Sequence, residues 1–209
     1  LQTEQPSKGP HIVAVDGRGG GGKTTLAGLL GRNVPGAAVV HTDDLPASGN
    51  WAGMRPVGET KSFLDWTAGL LEHVLDPARS GRAVHYRPES WNDWFRGEGA
   101  IEVPLGCPLV ILEGVGAARR ELAHALDVTI WVQSDVTKAQ SRGIARDGGD
   151  AGAVALWKTF LAEENPFLAD HKPWERADFV VCGTPDLEHD PASEVVVSSA
   201  YAKPGDKSI

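Results

Sequence analysis

The stretch GRGGGGKT, residues 17–24, constrains the fold of this chain more than any other. It follows a short apolar segment, HIVAVD, and precedes TTLAGLL, which has the composition of the start of a helix. Its backbone N–H groups can turn inward around phosphate oxygens, because glycine adopts a tight, partly left-handed path at low cost. The pattern G-x-x-x-x-G-K-[ST] between a strand and a helix predicts a phosphate-binding loop (P-loop). Its fixed positions are Gly17, Gly22, Lys23 and Thr24.

This loop has an expected contact for each part of a bound nucleotide. Lys23 reaches the β- and γ-phosphates, and the hydroxyl of Thr24 ligates Mg²⁺. The N-terminus of the following helix directs its positive end at the same anion. The loop residues expected to bind the nucleotide are Gly17, Gly19, Gly20, Gly21, Gly22, Lys23, Thr24 and Thr25.

Composition limits the partners of the chain. Its 209 residues, 41% of them hydrophobic, suffice for one ordinary globular domain. No apolar run approaches the length of a membrane span, and the N-terminus lacks the features of a signal peptide, so we expect a cytoplasmic protein that does not enter a membrane. A net charge of -8 disfavours nucleic acid and favours a small-molecule substrate. Cys107 and Cys182 are too few for a disulfide framework. A homo-oligomer is compatible with all of this.

Short apolar strands alternate with helical segments along the chain, which predicts a three-layer α/β fold with a mainly parallel sheet. Residues 1–10 are expected to be a loose lead-in, residues 11–185 the domain, and residues 186–209 a peripheral segment in which SEVVVSSAY could add an edge strand. Residues 45–61 should form a loop over the site. Strands are predicted at 12–16, 37–42, 83–87, 108–114, 128–132 and 177–183, and helices from 24, from 62 to the DPARSG turn, at 116–126, at 134–147 and from 151 to about 168.

Acidic residues follow two of the predicted strands. Asp43 and Asp44 end the second strand, where a carboxylate could accept the proton of an acceptor hydroxyl and hold its oxygen in line. The alternative is a helix cap or a turn. Glu113 ends the apolar run PLVILE and could hold Mg²⁺ through water or bind a substrate hydroxyl; alternatively it only terminates a strand.

Arg142 and Arg146 lie four residues apart and therefore on one face of a predicted helix. Two guanidinium groups presented together suit the charge on a transferring phosphoryl group. A solvated basic face is the alternative. The GGD break that follows could serve as a hinge, so residues 138–152 are expected to form a mobile lid.

A third group of candidates lies on the side of the acceptor. Aromatic rings beside hydrogen-bonding groups could hold a flat base or a sugar, although packing in the core or the lid is an equal alternative. Arg119 could reach an anionic group, or it could belong to a surface helix. The candidates for substrate binding are Asp43, Asp44, Tyr86, Arg87, Trp91, Asp93, Trp94, Glu113 and Arg119.

With these residues identified, the chain resembles the P-loop kinases of nucleosides and nucleotides, and within them the uridine kinase-like group. The resemblance is carried by VDGRGGGGKTTLA, HTDDL, LVILEGVGA, the R-x-x-x-R-D of residues 142–147, and ADFVVCG, and it spans about residues 11–183. Two segments depart from the family pattern. Leu45-Pro46 replaces an aromatic pair, and PESWNDWF only partly matches the substrate segment.

The resemblance implies roles for individual residues. Asp43 corresponds to the catalytic base, Glu113 to the strand-end acid, and Arg142 and Arg146 to the lid arginines, of which Arg142 would also contact the nucleotide. It further implies a five-stranded core of order 2-3-1-4-5, a helical lid, and an adenine pocket near residues 183–185. Lys23 completes the catalytic set, and Thr24 and Glu113 are the expected metal-binding residues.

The function expected from the sequence is ATP-dependent, Mg²⁺-requiring phosphoryl transfer to a hydroxyl of a nucleoside-like small molecule. Both departures fall on the acceptor side. The resemblance therefore supports ATP as the phosphoryl donor more strongly than it supports uridine as the acceptor. A second reading keeps the kinase and changes the acceptor to a nucleoside monophosphate, a cofactor precursor or a specialised metabolite. A third is a nucleotide-binding switch or accessory NTPase, although an N-K-x-D motif for guanine is absent from the sequence.

Overall fold

The computed structural model describes residues 9–45, 67–88 and 99–198. Six strands form the main sheet in the order β2-β5-β1-β6-β7-β8, and β3 and β4 form a separate antiparallel pair. The strands are β1 (His11–Gly17), β2 (Ala38–His41), β3 (Val84–Tyr86), β4 (Ile101–Val103), β5 (Leu109–Glu113), β6 (Val128–Gln133), β7 (Phe179–Cys182) and β8 (Val197–Ser198).

The centre of the sheet is mostly apolar, and both of its faces are covered. β1 pairs in parallel with β5 on one side and with β6 on the other. Alternate residues of β1 pack into two clusters, with Ile12 and Ala14 in one and Val15 in the other. This alternation explains why these strands are continuous apolar runs in the sequence.

The helices cover the two faces of this sheet. Their bounds are α1 (Lys23–Asn33), α2 (Thr67–Leu70), a π-helical turn (Leu71–Leu75), α3 (Asp76–Arg79), α4 (Val136–Arg146) and α5 (Ala151–His171). Leu26 of α1 packs on one face, while Val74 of the π-helical turn packs on the other. Leu168 of α5 joins Trp131 of β6. The result is the three-layer α/β arrangement that the sequence predicts.

The predicted parallel core is confirmed. Counted among themselves, the five parallel strands β2, β5, β1, β6 and β7 have the order 2-3-1-4-5. The sheet differs in having a sixth strand, β8, which pairs antiparallel with β7 and comes from the segment SEVVVSSAY. An edge strand from the peripheral segment therefore extends the core.

Other local predictions were wrong in detail. The segment 116–126 does not form an α-helix; it contains a 3₁₀ helix at Arg120–Ala125, whose buried Leu122 and Ala125 lie three residues apart, the period of that helix. The segment 83–87 contributes β3 to the separate pair with β4, a strand that was not predicted. The DPAR sequence is helical rather than a turn, and α5 continues to His171.

Several predicted segments fall outside the described residues. They are residues 1–8 of the lead-in, nearly all of the loop at 45–61, and the C-terminal residues after 198. Among the helices that the structure describes, none has the length and apolar character that crossing a membrane requires.

Candidate functional site

The P-loop leaves the carboxyl end of β1 and enters α1 at Lys23. Gly20 has a φ of 70° and Gly22 a φ of 100°, in the left-handed region that glycine adopts without strain. The Nζ of Lys23 donates a hydrogen bond of 2.9 Å to the backbone oxygen of Arg18, which closes the loop on itself. The predicted strand, loop and helix are therefore all present.

The loop borders a cavity of about 520 Å³, which we call the main cavity. Residues from the turn after β2, from β5 and the segment after it, and from α4 and α5 complete its wall. Asp43, Glu113, Arg142 and Arg146, which lie far apart in the sequence, thus face the same space as the loop. The lining residues are Gly19, Gly20, Gly21, Gly22, Lys23, Thr24, Thr25, Asp43, Glu113, Gly114, Val115, Arg142, Gly143, Arg146, Trp157 and Phe160.

Glu113 lies at the end of β5 and is only 5% exposed. The hydroxyl of Thr24 donates to its Oε1 at 3.2 Å, and Nδ1 of His41 lies 2.6 Å from its Oε2. Burial opposes ionisation, yet the hydrogen bond from His41 and the charge of Lys23 hold the pKa of Glu113 below its usual value. A hydroxyl beside an ionised carboxylate is a hard oxygen pair of the kind that suits Mg²⁺.

Asp43 belongs to a 3₁₀ turn, Thr42–Asp44, directly after β2. It lines the main cavity, whereas its neighbour Asp44 is not among the described lining residues. Loss of hydration raises the pKa of Asp43, the charges of Glu113 and Asp44 raise it further, and Lys23 lowers it. Asp43 is thus a carboxylate with a raised proton affinity that faces the cavity.

Arg142 and Arg146 both face the main cavity from α4, as their spacing predicts. Nη1 of Arg142 donates to the backbone oxygen of Gly183 at 2.9 Å. Nε of Arg146 donates to Oδ1 of Asp147 at 2.8 Å, and Asp147 also accepts from Nε1 of Trp157 in α5. Asp147 thus links Arg146 of α4 to Trp157 of α5, whereas Arg142 is tied to the segment after β7.

Asp16 directly precedes the loop in β1, is completely buried and is not among the described residues that line the main cavity, a position that we call the rear of the loop. Its Oδ1 accepts hydrogen bonds from the backbone N–H groups of Gly17 and Gly116 at 2.7 and 2.9 Å, and its Oδ2 accepts from Ala118 at 3.0 Å. Burial raises the pKa of Asp16, and these three bonds and Lys23 counteract that effect. Asp16 therefore connects the P-loop to the segment after β5.

A second buried acid, Glu164 of α5, also contacts the loop at its rear, since it too is not among the described residues of the cavity wall. Its Oε1 accepts from the backbone N–H of Gly19 at 2.6 Å, and its Oε2 lies 3.4 Å from Nη1 of Arg18. Asn165 accepts from the same guanidinium nitrogen at 2.7 Å. The helix α5 thus holds the beginning of the loop through polar contacts.

A second cavity of about 190 Å³ lies between α1 and the segment after β7. Arg142, Gly22 and Thr25 line both cavities, so the second continues from the main one. Apolar side chains such as Leu29 and the residues Gly183 and Pro185 form much of its wall. This is the place at which the resemblance implies an adenine pocket.

Four predicted site residues lie elsewhere in the described structure. Tyr86 stacks on His73 with ring centroids 4.5 Å apart, and Nη1 of Arg87 donates to Gly99. The buried Arg119 donates from Nε to Gly116, and its guanidinium lies over the ring of Phe167. None of these three is among the described residues of the main cavity wall, and neither is Gly17, which ends β1. Trp91, Asp93 and Trp94 fall outside the described residues.

Some residues of the site were not predicted. His41, Asp16 and Glu164 contact the predicted residues directly, and Trp157 and Phe160 form part of the cavity wall. His41 ends β2 two residues before Asp43, so its position at a strand end was an available signal. Glu164 has no local signal, because Gly19 lies 145 residues away.

Comparison with protein-family profiles and with curated proteins gives no match for this chain. Solved structures do match. A "possible uridine kinase" from Bacillus stearothermophilus is 20% identical with a TM-score of 0.51, covering 85% of this chain and 91% of its own. A "putative fructose transport system kinase" from Silicibacter sp. TM1040 is 26% identical with a TM-score of 0.51, covering 85% and 89%. The predicted P-loop kinase fold, like that of uridine kinase-like proteins, is confirmed.

Proposed function

We propose that this chain, which has the P-loop kinase fold, transfers the γ-phosphoryl group of ATP to a hydroxyl of a nucleoside-like small molecule and requires Mg²⁺. The observation that carries the proposal is the main cavity, where the loop, Asp43, Glu113 and Arg142 share one wall. Lys23 and the loop N–H groups would bind the phosphates. Thr24 and Glu113 would hold Mg²⁺, which would neutralise charge on the phosphates.

Asp43 is the proposed base. Its raised proton affinity suits a group that accepts the proton of an acceptor hydroxyl while it orients the oxygen. Arg142 and Arg146 would stabilise charge on the transferring group from α4. We further propose that α4 and the start of α5 act as a lid on this site.

The second cavity supports a nucleoside triphosphate as the donor. It adjoins the loop at Gly22 and Thr25, Asp43 is not among its described lining residues, and Leu29 gives it an apolar surface for a base. We propose that it binds adenine.

The acceptor is proposed to be unphosphorylated. Arginines near the acceptor pocket would favour a phosphorylated acceptor, and the candidates are Arg87, Arg96 and Arg119. Arg87 and Arg119 are engaged outside the described wall of the main cavity, and Arg96 lies outside the described residues. A nucleoside monophosphate acceptor is the alternative, and a cofactor precursor or specialised metabolite is another. A switch or accessory NTPase is the least favoured, since a base facing the phosphate site suits an acceptor.

An acceptor-dependent assay of ADP release tests this function. Purified protein is assayed with Mg²⁺ and ATP over a panel of nucleosides, nucleoside monophosphates, sugars and other alcohols. We expect turnover that depends on one unphosphorylated alcohol. Asp43→Asn should lower kcat by about 10²- to 10⁴-fold, the usual contribution of a general base.

Asp44→Asn is the matched control, because it removes the neighbouring carboxylate with the same chemical change. We expect it to retain most of the activity and Asp43→Asn to retain little. Acceptor-independent hydrolysis by the wild type would contradict the kinase. Equal losses in the two variants would contradict the assignment of Asp43 as the base.

A further inference from the structure

We propose that Glu164 is a positioning residue that sets the path of the P-loop from behind, through the backbone N–H of Gly19, and thereby determines the affinity for nucleotide phosphates. This inference rests on the proposed nucleotide site, and it assigns to α5 a part in binding that is distinct from the wall of the cavity. Glu164 itself is not among the described residues that line that cavity.

The loop needs such a contact because of its composition. Residues 19–22 are four consecutive glycines, which have more backbone freedom than any other residue type. An unrestrained run of this kind would have to lose that freedom when phosphate binds, at a cost in affinity. Contacts that already hold the loop in its bound form reduce this cost.

The structure provides restraints at successive points of the run. Ser134 donates from Oγ to the backbone oxygen of Gly21 at 2.7 Å, and Gly21 donates from its N–H to Arg18 at 3.0 Å. Glu164 accepts from Gly19 at 2.6 Å, where the run begins. Of these three hydrogen bonds, the one from Gly19 has a carboxylate as its acceptor. Hydrogen bonds to an ionised acceptor are about twice as strong as bonds between neutral groups.

Glu164 is held in place at this position. Its side chain is 0% exposed, and Arg18 lies close to its second oxygen. Burial raises the pKa of Glu164, while the Gly19 bond and the charges of Lys23 and Arg18 lower it and Asp16 raises it. Burying a carboxylate costs free energy, so its position beside the loop suits a role in binding more than a role in stability.

Packing around the contact shows that the loop and α5 are fitted to one another. A Cβ at Gly19 would lie 2.6 Å from Cε1 of Phe160 and 3.1 Å from the ring of Trp157. Both aromatic residues belong to α5, one and two turns before Glu164. The helix therefore approaches the loop backbone closely enough for one side chain to orient it.

The test is direct binding of Mg²⁺-ADP and of pyrophosphate to the wild type, Glu164→Gln and Glu164→Ala, measured by titration calorimetry. Glu164→Gln keeps the shape of the side chain and removes its charge, whereas Glu164→Ala removes the acceptor altogether. Glu163→Gln is the matched control, since it makes the same change one residue earlier on α5. The melting temperature of each ligand-free variant is recorded in parallel.

We expect Glu164→Ala to weaken both ligands by about tenfold or more and Glu164→Gln by a smaller factor in the same direction. In the kinase assay the KM for ATP should rise while the KM for the acceptor stays unchanged. Glu163→Gln should bind as the wild type does. The melting temperature of Glu164→Gln should not fall, because the variant no longer buries a charge.

Three results would overturn the inference. They are unchanged binding in both Glu164 variants, equal weakening in the Glu163 control, or a loss of affinity that only accompanies a lower melting temperature. If the wild type binds neither ADP nor pyrophosphate, the proposed nucleotide site fails as well. If it binds both and the Glu164 variants bind equally, only the positioning role fails.

Discussion

Two pairs of carboxylates surround Lys23, and they differ in what they contact. Asp16 and Glu164 lie behind the P-loop, fully buried, and accept hydrogen bonds from backbone N–H groups. Asp43 and Glu113 lie in front of it and line the main cavity. The positive charge of Lys23 favours the ionised form of each of the four, so it is one of the contributions that lower their pKa values.

The difference indicates how one cationic side chain can serve both structure and chemistry. The rear carboxylates are bound by backbone N–H groups and lie outside the described wall of the main cavity, whereas the contacts of Glu113 come from the side chains of Thr24 and His41. The front carboxylates face a space that can hold a ligand. Substitutions in the rear pair should therefore change stability or loop geometry, and those in the front pair should change turnover and metal dependence.

The largest effect that would test this comparison is expected at Glu113. In Glu113→Gln, the Mg²⁺ concentration for half-maximal ADP release should rise by about 10- to 100-fold, the range found when a group that supports a metal is lost. The matched control is Glu102→Gln in β4, an exposed glutamate that pairs with His85. An unchanged Mg²⁺ requirement in Glu113→Gln would remove this residue from the metal site.

A smaller effect, on stability, is expected at Asp16. Asp16→Asn places an NH₂ group opposite at least one backbone N–H donor, because three donors converge on the two oxygens. Leaving one buried donor unsatisfied should lower the free energy of unfolding by about 2 kcal/mol. Urea denaturation measures it, with Asp186→Asn as the exposed control. If the two variants unfold alike, Asp16 does not act as a structural acceptor.

The smallest effect should come from Asp127, a partly exposed acid away from Lys23. Its Oδ2 accepts from Ile12 N–H at 2.7 Å, and Arg79 donates to Oδ1 at 3.1 Å. Burial raises the pKa of Asp127, but these hydrogen bonds outweigh it and hold the pKa below its ordinary value of 3.8. Asp127→Asn should cost about 1 kcal/mol at neutral pH.

The pH dependence of that cost has a definite sign. A carboxyl group whose pKa is depressed in the folded protein stabilises it above the unfolded value, and this contribution is lost as pH falls through the folded value. The difference between wild type and Asp127→Asn should therefore shrink as the pH falls below 3.8 and vanish once the pH is below the folded value. For Glu164, whose pKa is raised, the wild type should instead gain stability as pH falls through its folded value. Urea midpoints over a pH series distinguish the two signs.

The front of the site was largely predictable from sequence, and the rear was not. Asp43 and Glu113 follow apolar strands, and the ends of parallel strands meet at one edge of a sheet. Arg142 and Arg146 share a helix face by their spacing alone. The bond from Gly19 to Glu164, by contrast, joins residues 145 positions apart, and no periodicity encodes such a pair.

The fold shows the same division. Long apolar runs such as β5 and β6 were predicted because buried parallel strands have a distinctive composition. The separate pair of β3 and β4 was missed because a strand of three residues, such as Ile101–Val103, is too short to show alternation. The helix predicted at 116–126 is a 3₁₀ helix, whose burial every third residue resembles an α-helical pattern over so short a stretch.

The glycine run of the P-loop also sets limits for anyone who wishes to make this protein more heat-resistant. Replacing glycine by alanine is a common route to that goal, since it reduces the freedom of the unfolded chain. Gly19→Ala is unsuitable, because the added methyl group would clash with the ring of Phe160. Gly28→Ala in α1 is suitable, because the added methyl group would meet only the flexible end of Arg32. Thermal engineering of this chain should therefore begin at Gly28 in α1, beyond its most glycine-rich segment.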